Sequence, residues 1–498
     1  MARREVPPSE ANERGGMGPR KSESPVVPEK PANESPEELV EGRGGQGVES
    51  KEGKMAETLN SGNISTRLDR IAEMARTHRG QALRSIHHAI DLEWLKEAHQ
   101  RTRKDGAVGV DSQTAADYAQ DLEANLQSLL DRLKSGAYRA PPVRRTYIPK
   151  DGGKSRPLGI PTFEDKVLQT AVKMLLEAVY EEDFLDCSYG FRPGRSTHDA
   201  LQVTWQSAMS MRGAWIVEVD IESFFDSIDH GHLRDILDQR VSDGTVRRVL
   251  HKWLNAGVME DGQHSRTDSG TPQGGVISPL LANVFLHNVL DTWFVAEVQP
   301  RLRGRTELIR FADDFVVVCE HELDARRVLA VLPKRFGKYG LRLHPDKTRL
   351  VRFERPDGRG GGERPETFDF LGFTHYWGKS RKGYPLVKRK TMATRMRRAI
   401  RAIWEWCRDN RHEPVDEQRV TLASKLRGHY AYYGITNNSR ALATYFFEVT
   451  RAWRRWLDRR GGRREMTWER FAALLKHHPL PPPRIVHSAL GRPANPRR

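Results

Sequence analysis

Three aspartates stand where charge is hardest to keep. Asp313 and Asp314 lie in Leu308-Ile-Arg-Phe-Ala-Asp-Asp-Phe-Val-Val-Val-Cys319, between two apolar runs rich in β-formers. The pattern reads as a hairpin whose turn presents carboxylates at the end of a buried sheet. Asp is also an ordinary turn residue, so the stretch alone leaves both readings open. Asp220 ends a second run of this kind, Trp215-Ile-Val-Glu-Val-Asp220, which predicts another strand. Two strands that end on carboxylates beside a core need a compensating partner, and a divalent metal shared between them supplies one.

Other stretches could serve the same chemistry. Tyr147-Ile-Pro-Lys150 and Lys154-Ser-Arg-Pro-Leu-Gly-Ile-Pro161 flank Asp151-Gly-Gly153 and predict a hairpin. Lys154 and Arg156 are two apart and share a face, where they could grip a triphosphate or simply be solvated. Gly270-Thr-Pro-Gln-Gly-Gly-Val-Ile-Ser-Pro-Leu-Leu-Ala-Asn283 predicts a Gly-rich turn into a helix. Such a loop lets backbone approach a ligand closely, and Gln273 can hydrogen-bond a base, a sugar or a template edge. A plain capping loop fits the same residues. The Gly-x-x-x-x-Gly-Lys-Ser/Thr phosphate loop is absent. Ser188-Tyr-Gly-Phe-Arg-Pro-Gly-Arg-Ser196 offers Arg192, Arg195 and aromatic rings to a nucleic-acid backbone, or is a structural loop.

Helices and strands must position these groups. Residues 1 to about 65 are rich in Pro, Glu, Gly, Ser and Lys, a composition that buries too little apolar area to order itself. Helical spacing begins at Leu68, Ile71, Met74 and Ala75, and further helices are expected from Ile86 to Arg101 and through Tyr118, Leu122, Leu126, Leu129 and Leu133. Val167, Leu168, Ala171, Leu175 and Val179 make Asp165 to Tyr180 an amphipathic helix. Helices also start at about His230 and Glu322, Phe368 to Phe373 reads as a short strand and turn, and Arg355 to Glu363 as a mobile Gly-rich loop.

After Trp377 the composition changes. Lys379 to Arg411 holds twelve Lys or Arg against two acids. Met396, Ile400, Ile403 and Cys407 form one helical stripe, which leaves Arg395, Arg398 and Arg401 to expose charge. Helices follow over Asp416 to Tyr433, Ser439 to Arg459 and Thr467 to His477. Aromatic rings and cations interleave at Arg427 to Tyr433, including Tyr430, and at Arg451 to Trp456, including Arg454 and Arg455. Helix core and RNA contact both account for that interleaving. Pro479 to Pro483 reads as an extended tail. The 498 residues carry 82 Lys and Arg against 66 Asp and Glu, a formal net charge of +16 that points to a polyanionic partner. No apolar stretch is long enough to span a membrane, and Cys187, Cys319 and Cys407 are spaced as free thiols, not as a disulfide or zinc set.

The order of these blocks resembles a bacterial group II intron reverse transcriptase/maturase over roughly residues 68 to 487. The matching blocks are 154–161, 189–196, 219–229, 270–283, 311–314, 341–348 and 370–373. The resemblance implies an α+β right-hand polymerase, with fingers and palm over 66–377, an all-α basic thumb/maturase domain over 378–478, an N-terminal tail over 1–65 and a Pro/Arg-rich tail over 479–498. It implies RNA-directed DNA synthesis with two Mg²⁺ ions, for which Mn²⁺ can substitute, held by Asp220, Asp313, the carbonyl of Ile221 and, beside them, Asp314. Phe225 would exclude a ribose 2′-hydroxyl, Lys154 and Arg156 would hold the triphosphate, Gln273 would sit beside the nascent pair, and Lys347 would donate a proton to pyrophosphate.

The implied partners are group II intron RNA, an RNA template with a DNA primer, target DNA and deoxynucleoside triphosphates, with no membrane, in the bacterial cytoplasm with RNA and the nucleoid. The family's usual Tyr-Ala-Asp-Asp is Phe311-Ala-Asp-Asp here, and both carboxylates remain. Many relatives carry an endonuclease with paired Cys and His, which nothing after Arg460 supplies, so none is expected. A catalytically idle RNA-binding splicing factor and a retron or defence-type reverse transcriptase are the alternatives. The latter commonly lacks the long basic helical region. The sequence carries no signal for oligomeric state.

Overall fold

The apolar run Phe315 to Cys319 lacks polar alternation because the strand it forms has no wet side. The computed structural model describes residues 51–149, 155–211, 213–260, 263–265, 270, 274–356, 365–460 and 465–488. Its strands, in chain order, are β1 (Val143–Pro149), β2 (Ser155–Ile160), β3 (Gly213–Val219), β4 (Val258–Glu260), β5 (Gln263–Ser265), β6 (Thr306–Phe311), β7 (Asp314–Cys319), β8 (Arg349–Glu354), β9 (Phe368–Phe370), β10 (Phe373–Lys379) and β11 (Pro385–Thr391). Among the described residues they make a central sheet β6-β7-β3-β8, a hairpin sheet β2-β1-β4-β5 and a small sheet β11-β10-β9.

Every neighbouring pair in the central sheet is antiparallel. Val217, Val219, Leu308, Phe315 and Val317 face one core, shared with the helices Phe163–Tyr180, Ser278–Leu286 and Glu322–Gly337. Ile216, Ile309, Val316 and Val318 face a second core, built with the helix Thr197–Ser210 and the small sheet. Burying each such side chain contributes about 1.5–3 kcal/mol, so the sheet is held from both faces.

The helix Phe163–Tyr180 starts on Thr162, whose hydroxyl accepts from the Asp165 amide, with Glu164 and Asp165 in its first turn. Asp165 is itself buried and accepts hydrogen bonds from the Tyr138 hydroxyl, from Trp253 Nε1 at 2.6 Å and from Gln169 Nε2 at 3.0 Å. Burial pushes its pKa up to about 6, against the pull of those donors.

The α+β architecture is as expected; several boundaries are not. The expected tail is helical from Lys51, in a helix Lys51–Thr77 that buries Ile64, Ile71 and Ala75, while residues 1–50 lie outside the described residues. The helix expected from Ile86 is broken at Ile90 and restarts as Leu92–Arg101 on an Asp91 cap, and the next is split into Ala115–Ala119 and Leu122–Ser135. Most of the Gly-rich stretch expected to be mobile, residues 357–364, lies outside the described residues.

The boundary expected after Trp377 falls inside β10. That strand pairs with β11 from Phe373↔Thr391 to Lys379↔Pro385, and Phe373 and Val387 join the second core of the central sheet. The all-helical region therefore begins at the helix Ala393–Asp409 and continues as Val415–Tyr433, Ser439–Asp458 and Trp468–His477. Its core is Ile403, Cys407, Leu422, Leu426, Tyr445, Val449, Trp453 and Phe471.

The Pro-rich segment is docked through the last described residues. Leu480 is buried in the helical core, the Tyr430 hydroxyl donates to the Pro481 carbonyl at 3.2 Å, and the His487 ring stacks on His198 at 3.6 Å. No helix among the described residues is long and apolar enough to cross a membrane.

Candidate active site

β6 and β7 close on the pair Phe311↔Asp314, leaving Ala312 and Asp313 as the turn. Ala312 is held at φ 55°, the left-handed region, which costs a non-glycine residue about 1–2 kcal/mol. β3 pairs with β7 in a register that ends at Val219↔Phe315, so Asp220, one residue beyond, faces the start of β7 and the Asp313–Asp314 turn. Residues remote in sequence thus meet at one edge of one sheet.

The segment after the helix Glu322–Gly337 returns along this edge. Glu222 N donates to the Arg342 carbonyl at 2.9 Å and His344 N to the Asp220 carbonyl at 2.8 Å, bracketing an antiparallel bridge Ile221↔Leu343. A bridge bonded through its flanking residues leaves the N–H and carbonyl of Ile221 directed to the opposite edge, where β7 lies. Lys347, in the same returning segment, places Nζ 2.6 Å from Asp220 Oδ2.

The donor set fits a divalent ion. Asp220, Asp313 and the Ile221 carbonyl offer hard oxygen donors of the kind Mg²⁺ takes, and Asp220 faces the Lys347 ammonium. The Lys347 side chain is 61% exposed and is able to swing out if an ion takes its place. Among the described residues no three His, Cys, Asp or Glu side chains form a ready-made cage. Mg²⁺ does not need one, because it is commonly held by one or two carboxylates with water and substrate phosphate filling the octahedron.

The groups expected around a nucleotide converge only in part within the described residues. Phe224 is buried and packs near Phe285, whereas Phe225 is half-buried. Gly270, at φ 89°, lies so close to Phe225 that a Cβ there would be 3.0 Å from its carbonyl; at Gly274, φ 112°, a Cβ would be 2.7 Å from the Gly159 carbonyl of β2. Gly270 thus lies beside Phe225, and Gly274 beside the β1–β2 hairpin. Gln273 itself and Lys154 lie outside the described residues. Arg156 is placed by its backbone, opposite Ile148 in β1.

Several residues expected on a nucleic-acid surface are used inside the protein. Arg192 is buried: its Nε and Nη2 donate to Glu181 at 3.1 Å and 3.0 Å, and its Nη1 to the carbonyls of Leu185 and Ser188 at 2.7 Å and 2.9 Å. It ties its loop together because a buried guanidinium must find acceptors. Tyr430 is likewise core. Arg195 pairs with Asp186 at 2.5 Å, and Arg454 donates to the Met466 carbonyl at 2.5 Å while lying over the Trp468 ring, so it helps dock the last helix. Arg401, Arg427 and Arg455 are exposed, and Arg395 and Arg398 are half-buried.

Sequence reasoning missed Arg310. It lies in β6 immediately before the Phe-Ala-Asp-Asp turn, fully buried, and its guanidinium meets Asp291 at 2.8 Å and 2.5 Å. Asp291 sits in a π-helical turn, His287–Asp291, that continues the helix Ser278–Leu286. Burial works against the Arg310 charge and Asp291 more than restores it, leaving its pKa above the usual guanidinium value. The available signal was an arginine inside an apolar run, which requires a buried acid elsewhere.

Residues 148–375 match the family described as reverse transcriptase (RNA-dependent DNA polymerase). The group II intron-encoded protein LtrA of Lactococcus lactis subsp. cremoris is 46% identical over 168 residues, 34% of this chain and 28% of that one. Protein YkfC of Escherichia coli (strain K12) is 36% identical over 298 residues, 52% of this chain and 76% of that one. The nuclear intron maturase 2, mitochondrial, of Arabidopsis thaliana is 27% identical over 182 residues, 28% of this chain and 24% of that one. The chain thus spans well under half the length of two of these relatives and about three quarters of the third. The match to the family lies over both strands that carry the aspartates and over the returning segment with Lys347, and the chain belongs to the reverse transcriptase family.

Proposed function

We propose that this protein is an RNA-directed DNA polymerase that binds a group II intron RNA to assist its splicing and mobility. The observation that carries the polymerase half is the register of β3 on β7, which brings Asp220 against the Asp313–Asp314 turn. Asp220 and Asp313 would hold two Mg²⁺ ions with the Ile221 carbonyl, and Asp314 would tune the charge beside them. When bound, the ions activate a primer 3′-hydroxyl and stabilise the departing pyrophosphate. Lys347 pairs with Asp220, and its ammonium would donate a proton to pyrophosphate. Phe225 closes the sugar pocket against a 2′-hydroxyl. Lys154 and Arg156 grip the triphosphate, and Gln273 lies beside the new base pair.

In this reading the fingers and palm run to the end of β11, and the thumb and maturase surface is the helical region from Ala393. Its exposed arginines, with Arg401, Arg427 and Arg455 among them, suit the phosphates of intron RNA and of a primer–template. Extension of a DNA primer on an RNA template with deoxynucleotides and Mg²⁺ tests the proposal, and Phe225→Val should admit ribonucleotides. A native protein that binds intron RNA yet extends no primer would leave the non-catalytic splicing factor as the better reading.

A further inference from the structure

Arg310 does more than neutralise Asp291. A guanidinium has five N–H donors, and here each finds an acceptor. Nε and one Nη2 hydrogen go to the two oxygens of Asp291, and the other Nη2 hydrogen to Ser188 Oγ at 2.8 Å. Nη1 donates to Asn283 Oδ1 at 2.9 Å and to the Ala312 carbonyl at 3.0 Å. That carbonyl belongs to the residue held at φ 55° directly before Asp313.

The hydrogen bonds close into a ring around the turn. Asn283 Nδ2 donates to the Gly190 carbonyl at 2.7 Å, and Gly190 lies so close behind the turn that a Cβ there would overlap the Ala312 amide. The Gly190 loop is fixed to β6 as well, by Tyr189 N to the Arg310 carbonyl and Arg310 N to the Cys187 carbonyl, both at 2.8 Å. A strained residue persists only where its surroundings over-determine it. Here one buried side chain touches the turn, the helix after the Gly-rich loop, and the loop behind the turn.

We propose that Arg310 is a positioning residue for catalysis. By holding the Ala312 carbonyl, it fixes the direction in which Asp313 and Asp314 present their carboxylates to the metal ions. Asp291, Asn283 and Ser188 hold the guanidinium in that pose. A lysine at this position would still meet Asp291 but could not reach all the acceptors at once. The inference rests on the polymerase reading for its metal ions.

The test compares native protein with Arg310→Lys and Ser188→Ala, each bound to an RNA–DNA primer–template with a dideoxy-terminated primer and the next deoxynucleotide. Mn²⁺ binding is read by electron paramagnetic resonance, folding by thermal melting, and kcat and KM on an extendable primer. Arg310→Lys should weaken Mn²⁺ binding and lower kcat by about 10–100-fold, the range for groups that orient metal ligands, with KM for the nucleotide unchanged. Ser188→Ala should shift both in the same direction by less. A cooperatively melting Arg310→Lys with native Mn²⁺ affinity and kcat would overturn the inference. If Arg310→Lys does not fold, Ser188→Ala decides: native Mn²⁺ affinity in a folded Ser188→Ala protein overturns it equally. A native protein that binds no Mn²⁺ in this complex removes the metal site, and this inference with it. Native turnover with unaffected variants removes the inference alone.

Discussion

The central sheet and the C-terminal helices use arginine in opposite ways. In and near the sheet, three buried guanidinium groups are answered by dedicated acids, Arg310 by Asp291, Arg192 by Glu181 and Arg240 by Asp183 at 2.6 Å, while Arg389 of β11 is buried against the Leu201 carbonyl. Along the helices, Arg397, Arg401, Arg427 and Arg455 lie on the surface. A buried pair adds little net stability when intact and costs much when broken, whereas an exposed cation costs little to keep and remains open to phosphate. The first kind of charge builds a site. The second displays a surface.

The contrast can be broken, and the largest effect should come from Asp291→Ala, which strands the Arg310 charge in the core. It should cost about 3–5 kcal/mol, a large part of a typical total of about 5–15 kcal/mol. A melting temperature equal to that of the native protein would refute the buried-pair account. Next is the buried acid Asp165. Its pKa is raised from 3.8 to about 6, so the folded state binds that proton more tightly than the unfolded chain does. Its contribution to stability is complete below about pH 4 and is lost as the pH rises through about 6, a change of about 3 kcal/mol. Urea titrations between those limits should show this loss in the native protein and not in Asp165→Asn.

Gly190→Ala should cost about 1–3 kcal/mol through overpacking against Ala312 and should slow primer extension as well. A fully active Gly190→Ala protein would show that the turn tolerates a shift. The smallest change in stability belongs to the helical surface. Arg401→Ser and Arg455→Ser should leave melting within about 0.5 kcal/mol of native, while the log–log salt slope of RNA binding falls by about one for each phosphate that is no longer neutralised. Unchanged salt slopes would mean that this surface faces something other than nucleic acid.

These differences also explain what the sequence could and could not reveal. The strands that carry the aspartates were legible because both faces of the sheet are covered, which leaves an apolar run at Phe315–Cys319 and one interrupted only by Glu218 at Trp215–Val219. β8 was not, because Arg349, Arg352 and Glu354 give an edge strand the look of a charged connector. The composition change after Trp377 misled the domain boundary. β11 is basic on its exposed positions, yet it turns Val387 into the sheet's core before the helices begin.

Asp220, Asp313, Asp314 and Lys347 stood out by type and order, and they meet at one edge of the central sheet. Arg192 and Tyr430 were misassigned because charge and aromaticity do not reveal burial. Arg310 was passed over because its partner, Asp291, is far from it in sequence and lies at a π-helical turn that no periodicity announces.

The central claim is that Asp220 and the Asp313–Asp314 turn form a working metal site at the sheet edge. The most direct measurement is primer extension on an RNA template, with Mg²⁺ titrated against native protein and Asp313→Ala side by side. The expected result is extension by the native protein and a loss of about a thousandfold in the variant, equivalent to several kcal/mol of lost charge stabilisation, with melting unchanged. Equal extension by the two proteins, or none by a folded native protein at any Mg²⁺ concentration, would contradict it.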